Sequence, residues 1–263
     1  MSAYPQELGF ALSLADESRR ILRQHFGSGL KVEWKGDNTP VTLADRAVEE
    51  ALRERMLRET PGYGIWGEEF GREAGTTGRE WVVDPLDGTK AFIHGVPLFG
   101  TLIALLQDGV PVLGLIDLPI LRERVWAAKG GGAFRKTGEG EGVSCRVSTV
   151  ARLEDALLLD GSITTMERLG HGPAWAGLRG RARLHRGWGD CYGHFLVATG
   201  GAEVMADPVV EAWDIAPMAV ILPEAGGRFT AFSGGDGIAE RTGLSTNGSL
   251  HDEVMEALRS KDS

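Results

Sequence analysis

Three acidic segments carry carboxylates where a folded chain rarely leaves charge uncompensated. Glu68 and Glu69 follow the apolar pair Ile65-Trp66 in Gly67-Glu68-Glu69-Phe70. In Trp81-Val-Val-Asp84-Pro-Leu-Asp87-Gly-Thr-Lys90, two aspartates flank a Pro-Leu dipeptide at the end of an apolar strand. Glu211-Ala-Trp-Asp214 opens a helix that runs to Pro223-Glu-Ala-Gly-Gly227. A carboxylate at the end of a buried strand loses hydration, at a cost in free energy unless positive charge lies beside it. These segments place no arginine or histidine next to the acids. A bound cation resolves the conflict, and carboxylates with backbone carbonyls are hard oxygen donors suited to Mg²⁺ or Mn²⁺. Proline stiffens the Asp84–Asp87 loop, so both side chains can converge with the Leu86 carbonyl. Gly88 and Thr89 then offer backbone amides at the first turn of a short helix through Phe92, where unpaired N–H groups and the helix dipole favour an anion. Cation ligands followed directly by a phosphate cradle imply phosphoryl chemistry.

Each segment taken alone also has a plain structural reading. Asp-Pro and Asp-Gly are turn dipeptides, Glu68-Glu69 reads as a solvated loop pair, and Asp214 reads as a helix N-cap with Glu211 beside it. Their occurrence together in one chain favours the site over three unrelated coincidences.

The elements that must position these groups follow from periodicity. Over Glu7–Phe26, Leu8, Leu12, Ala15, Leu22 and Phe26 recur near helical spacing, and Gly27 ends the segment. Lys35-Gly-Asp-Asn-Thr-Pro40 is turn chemistry leading into a second helix over 42–59, closed by Pro61-Gly62. Short apolar runs at 81–83, 98–106, 110–116 and 123–127 predict a meandering antiparallel sheet. The stretches 129–133 and 136–142 read as turns. Beyond them, strands at 156–159, 182–185, 202–205 and 228–232 alternate with helices at 190–199, 212–223 and 251–260. The expectation is an α+β unit over 1–150, holding most of the acids, followed by an α/β unit over 151–263 that contributes Asp214.

Composition excludes other classes. With 28 basic and 37 acidic residues the formal charge is −9. The basic residues are scattered, which argues against nucleic acid, whose binding draws on clustered Lys and Arg. Hydrophobic residues make up 42% and charged residues 25% of the 263, as in ordinary globular chains. The 38 glycines are about twice the usual share and imply tight turns or close backbone approaches to a ligand. The longest apolar stretch, 101–106, is far short of a membrane span, and residues 1–10 show no secretory pattern. Cys145 and Cys191 form neither a CxxC pair nor a phosphate-loop nucleophile. A reducing cytoplasm and no covalent cysteine intermediate are therefore expected.

The order and spacing of Gly67-Glu68-Glu69, of Trp81 to Phe92, and of Trp213-Asp-Ile-Ala-Pro with Glu224-Ala-Gly-Gly227 resemble the signatures of the inositol monophosphatase family, from about Lys35 to Gly227. The resemblance implies a layered αβαβα sandwich, a homodimer, and metal-dependent, lithium-sensitive phosphomonoester hydrolysis. Carried over position by position, it makes Glu68, Asp84, the Leu86 carbonyl, Asp87 and Asp214 ligands for two or three Mg²⁺ ions, with Asp84 bridging two. Asp45 and Thr89 match the pair that orients and deprotonates the attacking water. Gly88 and Thr89 match the phosphate-binding amides. Glu69 matches a second acid near a weaker third ion. Leu86 in place of isoleucine changes little because only its carbonyl coordinates, and Pro217 falls in a first helical turn where it loses no hydrogen bond.

Within the family, Asp87 to Leu105, Gly189-Asp-Cys-Tyr-Gly193 and Ser245 to Val254 resemble the histidinol-phosphatase branch. Asp190 and Glu211, with the 185–188 loop as a third candidate, are expected to choose the substrate. Acids there suit a protonated amine and imidazole, whereas an inositol ring would want hydroxyl-binding groups. For Glu211 the alternative is stabilisation of a helix dipole. His94, His185 and His194 are expected to be structural or rim residues. The competing readings are an inositol-1-monophosphatase, a nucleotide 3′-phosphatase or fructose-1,6-bisphosphatase, and a non-catalytic metabolite-binding regulator. The bisphosphate readings need a basic pocket, and no Lys/Arg cluster is visible between 190 and 211. The regulator should have lost Asp84, Asp87, Thr89 or Asp214, all of which are present.

Overall fold

A computed structural model describes residues 4–28, 32–34, 40–235 and 237–259, and the statements below concern these. The turn expected at 35–40 lies, apart from Pro40, outside them. Helix α1 (Pro5–His25) buries Ala11, Leu14, Ala15, Ile21 and Leu22 on one face. Strands β1 (Val32–Trp34) and β2 (Pro40–Thr42) pair antiparallel and lead into α2 (Leu43–Glu59). Thr42 caps α2: its Oγ1 accepts from Ala44 N at 3.1 Å, and the Asp45 carboxylate accepts from Thr42 N at 2.8 Å.

The first sheet contains β3 (Gly64–Gly67), β4 (Gly71–Glu73), β5 (Arg79–Asp87), β6 (Gly100–Gln107), β7 (Val110–Leu118), β8 (Glu123–Ala128), β9 (Ala133–Thr137) and β10 (Val143–Ser144), in the order β10-β9-β8-β7-β6-β5-β3-β4. From β5 to β8 it is the expected antiparallel meander, which β9 and β10 extend, but β3 lies parallel to β5. Parallel pairing carries the end of β3, and with it Glu68, to the same end of the sheet as Asp84. Strand β9 joins and overlaps the turns expected at 129–133 and 136–142; its five residues run from buried Ala133 to exposed Thr137 without the alternation that marks a strand among the surrounding glycines.

The second sheet contains β11 (Leu157–Asp160), β12 (Leu184–Arg186), β13 (Val204–Asp207), β14 (Arg228–Thr230) and β15 (Gly243–Thr246), in the order β12-β11-β13-β15-β14. Sequence reading missed β15, together with α4 (Ile163–Arg168), only six residues long, and α5 (Gly172–Arg181), which is glycine-rich and has little helical periodicity. Helices α6 (Asp190–Ala198) and α10 (His251–Arg259) fall where expected, and the short α9 (Gly237–Glu240) lies between β14 and β15. The single helix expected over 212–223 is two, α7 (Ala212–Ile215) and α8 (Met218–Glu224), divided where Pro217 caps the second.

Side-chain alternation sorts these elements into layers. On one face of the first sheet, Val83, Ile103, Leu105, Leu113 and Leu115 pack against Leu14, Leu22, Val48 and Leu52 of α1 and α2. The other face, with Leu102 and Ile116, meets Phe195 of α6 and Met218 and Ile221 of α8, which in turn rest on Leu159 and Met205 of the second sheet. Beyond that sheet, Leu158, Val204 and Leu244 pack on Trp175 and Leu178 of α5 and Val254 and Met255 of α10. The result is the expected αβαβα sandwich. Burying both faces of each sheet explains why the strands read as continuous apolar runs.

Candidate active site

The acids converge where β5 ends. Its register with β6 slips between Asp84 and Asp87, and such an irregularity re-aims side chains that strict alternation would send to opposite faces. Asp84 Oδ1 accepts from Leu86 N at 2.9 Å. The intervening Pro85 carbonyl accepts from Thr101 Oγ1 at 3.0 Å, and Ser18 Oγ of α1 lies 2.5 Å from that hydroxyl. Gly88 follows at φ 84°, a left-handed conformation that favours glycine, with Leu98 O and Phe99 too close to admit a side chain comfortably. It caps α3 (Thr89–Ile93), as the sequence predicts for an amide cradle.

One carboxylate oxygen each from Asp84, Asp87 and Asp214 fall within 4.8 Å of one another. Asp214 sits at the third position of α7, where its Oδ2 accepts from Glu211 N at 2.8 Å. Trp213 beside it packs edge-on against Trp66 of β3, with ring centroids 6.1 Å apart. Asp87 is held from the other half of the chain, accepting a hydrogen bond from the Cys191 amide at the start of α6. Thr89 Oγ1 lies 2.9 Å from the Leu86 carbonyl and 3.3 Å from Asp45 Oδ1.

At the centre of the cluster the carboxylates repel one another. Burial first, then the charges of Glu68, Asp87 and Asp214, push the Asp84 carboxyl well above its ordinary range. Burial, then Asp190 and Asp214, do the same to Asp87, opposed by the Cys191 hydrogen bonds. Asp45 is raised by burial and, less, by Glu68, against the lowering effect of its bonds from Thr42. Asp190 is raised by burial and drawn down by Lys90. Carboxylates that desolvate and repel one another in this way fit a divalent cation, which inverts the local charge.

A cavity of about 810 Å³ opens over the cluster and is lined by Glu68, Asp84, Leu86, Asp87, Gly88, Thr89, Asp190, Glu211 and Asp214 among others. Two expected residues are absent from its wall: Asp45, which reaches it only through Thr89, and Glu69. The 185–188 loop is absent as well, since His185 Nε2 turns to Asp160 Oδ2 at 2.6 Å. His94 is exposed and bonds Lys90 O at 2.8 Å. His194 lines the cavity but is buried, with its Nδ1 2.7 Å from Ser245 Oγ. Cys191 is fully buried in α6.

Sequence reading missed two features. Asp207, the last residue of β13, lines the cavity, and burial followed by Asp190, Asp214 and Asp160 pushes its carboxyl well up. Its signal was present, an acid ending a buried strand just as Asp84 and Asp87 do. The second is basic. Lys90 of α3, Arg168 of α4 and Arg241 of the turn before β15 reach the cavity, where the sequence shows no cluster, and Arg241 pairs with Glu211.

The comparisons with known proteins agree with this geometry. The model of the inositol monophosphatase family matches residues 5–263. A histidinol-phosphatase of Mycobacterium tuberculosis is 43% identical over 96% of this chain and 97% of that protein. A histidinol-phosphatase of Chlorobaculum parvum is 40% identical, covering 96% of each. The solved structure of the Thermotoga maritima IMPase matches with a TM-score of 0.86 at 31% identity, covering 96% of each chain.

Proposed function

This chain belongs to the inositol monophosphatase family and is a phosphoric monoester hydrolase, and on that premise we propose that it cleaves histidinol phosphate to histidinol and inorganic phosphate. The observation that carries the substrate is the acidity of the cavity beyond the metal cluster: Asp190, Asp207 and Glu211 all face it. A substrate bearing a protonated amine and an imidazole answers these acids, whereas a neutral polyol leaves Asp190 and Asp207 desolvated with no bound cation to balance them; Glu211 already pairs with Arg241. The 43% and 40% identities to histidinol-phosphatases support the same choice.

In this reading Glu68, Asp84, the Leu86 carbonyl, Asp87 and Asp214 hold Mg²⁺, which supplies Lewis-acid charge to the phosphate and acidity to water. Thr89 Oγ1 orients the attacking water and accepts its proton while passing its own hydroxyl proton to Asp45 Oδ1, 3.3 Å behind it. Gly88 and Thr89 donate backbone N–H bonds to the equatorial phosphate oxygens, which gain charge in the transition state. Asp190 and Asp207 bind the cationic end of the substrate. The reading also takes the chain as a cytoplasmic homodimer whose boundary near residue 150 separates most of the metal ligands from the substrate rim.

Lys90 and Arg168 on the cavity wall favour, as a second reading, a substrate with a further anionic group such as fructose 1,6-bisphosphate. Measuring kcat/KM for histidinol phosphate, inositol 1-phosphate and fructose 1,6-bisphosphate separates the readings. The expected result is a preference of at least ~100-fold for histidinol phosphate, lost in Asp207→Asn through KM, at the ~2–5 kcal/mol typical of a broken buried charge pair. A preference for either other ester overturns the proposal.

A further inference from the structure

Glu49 is fully buried on α2, four residues and so one helical turn beyond Asp45. Its carboxylate reaches the loop after β3: Oε2 accepts from Glu69 N at 2.7 Å and Oε1 from Phe70 N at 3.1 Å. Arg53 Nε, one turn further along α2, donates to Oε1 at 2.8 Å, and its guanidinium also bonds the Gly71 carbonyl. A Cβ built on Gly67 would overlap the Glu49 carboxylate, so this position requires glycine for a reason of close approach. On its other side the loop is fastened to β5, with Glu68 N donating to Val83 O at 3.3 Å.

Three successive amides are therefore held, one by the sheet and two by a single buried carboxylate. Glu68 is the one side chain of this tight turn that lines the cavity. A buried ion pair is a poor source of net stability, because desolvation offsets the Coulomb gain, but it is an effective way to fix geometry. The apolar alternative, a turn packed on Ile65 and Trp66, would leave the amides of Glu69 and Phe70 without these acceptors and the loop free to shift.

We propose that Glu49 is a positioning residue for the metal site: it fixes the 67–70 turn so that Glu68 is presented to Asp84. A single helix then carries both the acid beside Thr89 and the brace of a ligand on a different strand. The inference rests on the reading of Glu68 as a metal ligand. Outer groups that orient ligands typically change metal affinity by ~10–100-fold when removed, and an effect of that size is expected here.

The test is a titration of the resting protein with Mn²⁺, without substrate, followed by electron paramagnetic resonance, with melting temperature measured on the same samples. Glu49→Ala and Gly67→Ala should each weaken Mn²⁺ binding ~10–100-fold, and Glu49→Gln, which keeps its volume and one accepting oxygen, should lie between them and the native protein. Gly67→Ala added to Glu49→Ala should cost no further affinity, because the truncated side chain vacates the space the new methyl needs. Should Glu49→Ala fail to fold, Glu49→Gln and Gly67→Ala carry the test. Unchanged Mn²⁺ affinity in the Glu49 variants, with only a lower melting temperature, overturns the proposal. Glu68→Gln separates the two failures. If it weakens Mn²⁺ binding while the Glu49 variants do not, the positioning role falls alone; if it has no effect, the ligand reading of Glu68 falls first and takes the positioning role with it.

Discussion

At the residue scale, the acids of this site are in conflict with one another until a cation joins them. Asp84 makes the point, since burial and three neighbouring carboxylates all oppose its ionisation. Asp84→Asn keeps the shape and an oxygen to accept from Leu86 N, and it removes a charge the fold resists. Metal-free Asp84→Asn should therefore be more stable than the native protein by on the order of 1 kcal/mol, a rise of ~2–4 °C in melting temperature. Metal-dependent phosphate release should fall at least ~100-fold in the same variant, the size expected when a principal electrostatic group is lost. Unimpaired turnover, or a lower melting temperature without metal, would contradict the assignment. These residues were readable from the chain because uncompensated charge beside apolar strands is a local signal. Asp207 carries the same signal and was passed over, since its nearest acids, Glu203 and Glu211, lie four residues away on either side and no Gly-Thr cradle follows it.

At the element scale, the strands and helices that aim the acids depend on contacts the chain does not announce. The slip in β5 and the parallel placement of β3 each follow from pairing with remote segments. Helix α6 illustrates a titratable consequence. It carries His194 against β15, bonded to Ser245, and burial pushes this imidazole down to about 3. In the unfolded chain the same group protonates near 6.5. A lowered folded value means that the neutral imidazole contributes stability fully above about 6.5, and that this is lost as pH falls towards 3, at up to ~1.4 kcal/mol per pH unit. Urea unfolding of the native protein and of His194→Gln, compared between pH 7 and pH 4.5, should show a difference that narrows as the pH falls. Parallel curves would place the acid sensitivity elsewhere.

At the scale of the whole molecule, the middle layer decides whether there is a site at all. Ile221 and Met218 of α8 and Phe195 of α6 lie between Leu102 and Ile116 of one sheet and Leu159 and Met205 of the other. Ile221→Ala should cost ~2–5 kcal/mol and lower a single calorimetric transition in which both sheets unfold together; two separate transitions would show that the sheets are stable apart. The candidate site spans this layer, with Asp84 and Asp87 from the first sheet, Asp190, Asp207 and Asp214 from the second half, and the Cys191 amide bonded across to Asp87. From the sequence alone came the acidic segments, the glycine cradle, the family resemblance and the main strands and helices, because each is written in neighbouring residues by type and spacing. Only the tertiary structure decided which acids share the cavity: Asp207 joins it, Glu69 stays out of its wall, and Lys90, Arg168 and Arg241 meet at it from two helices and a turn. The physical reason is that desolvation and Coulomb repulsion depend on distance in space, and distances between segments more than a hundred residues apart are set by how the two sheets pack on the helices between them.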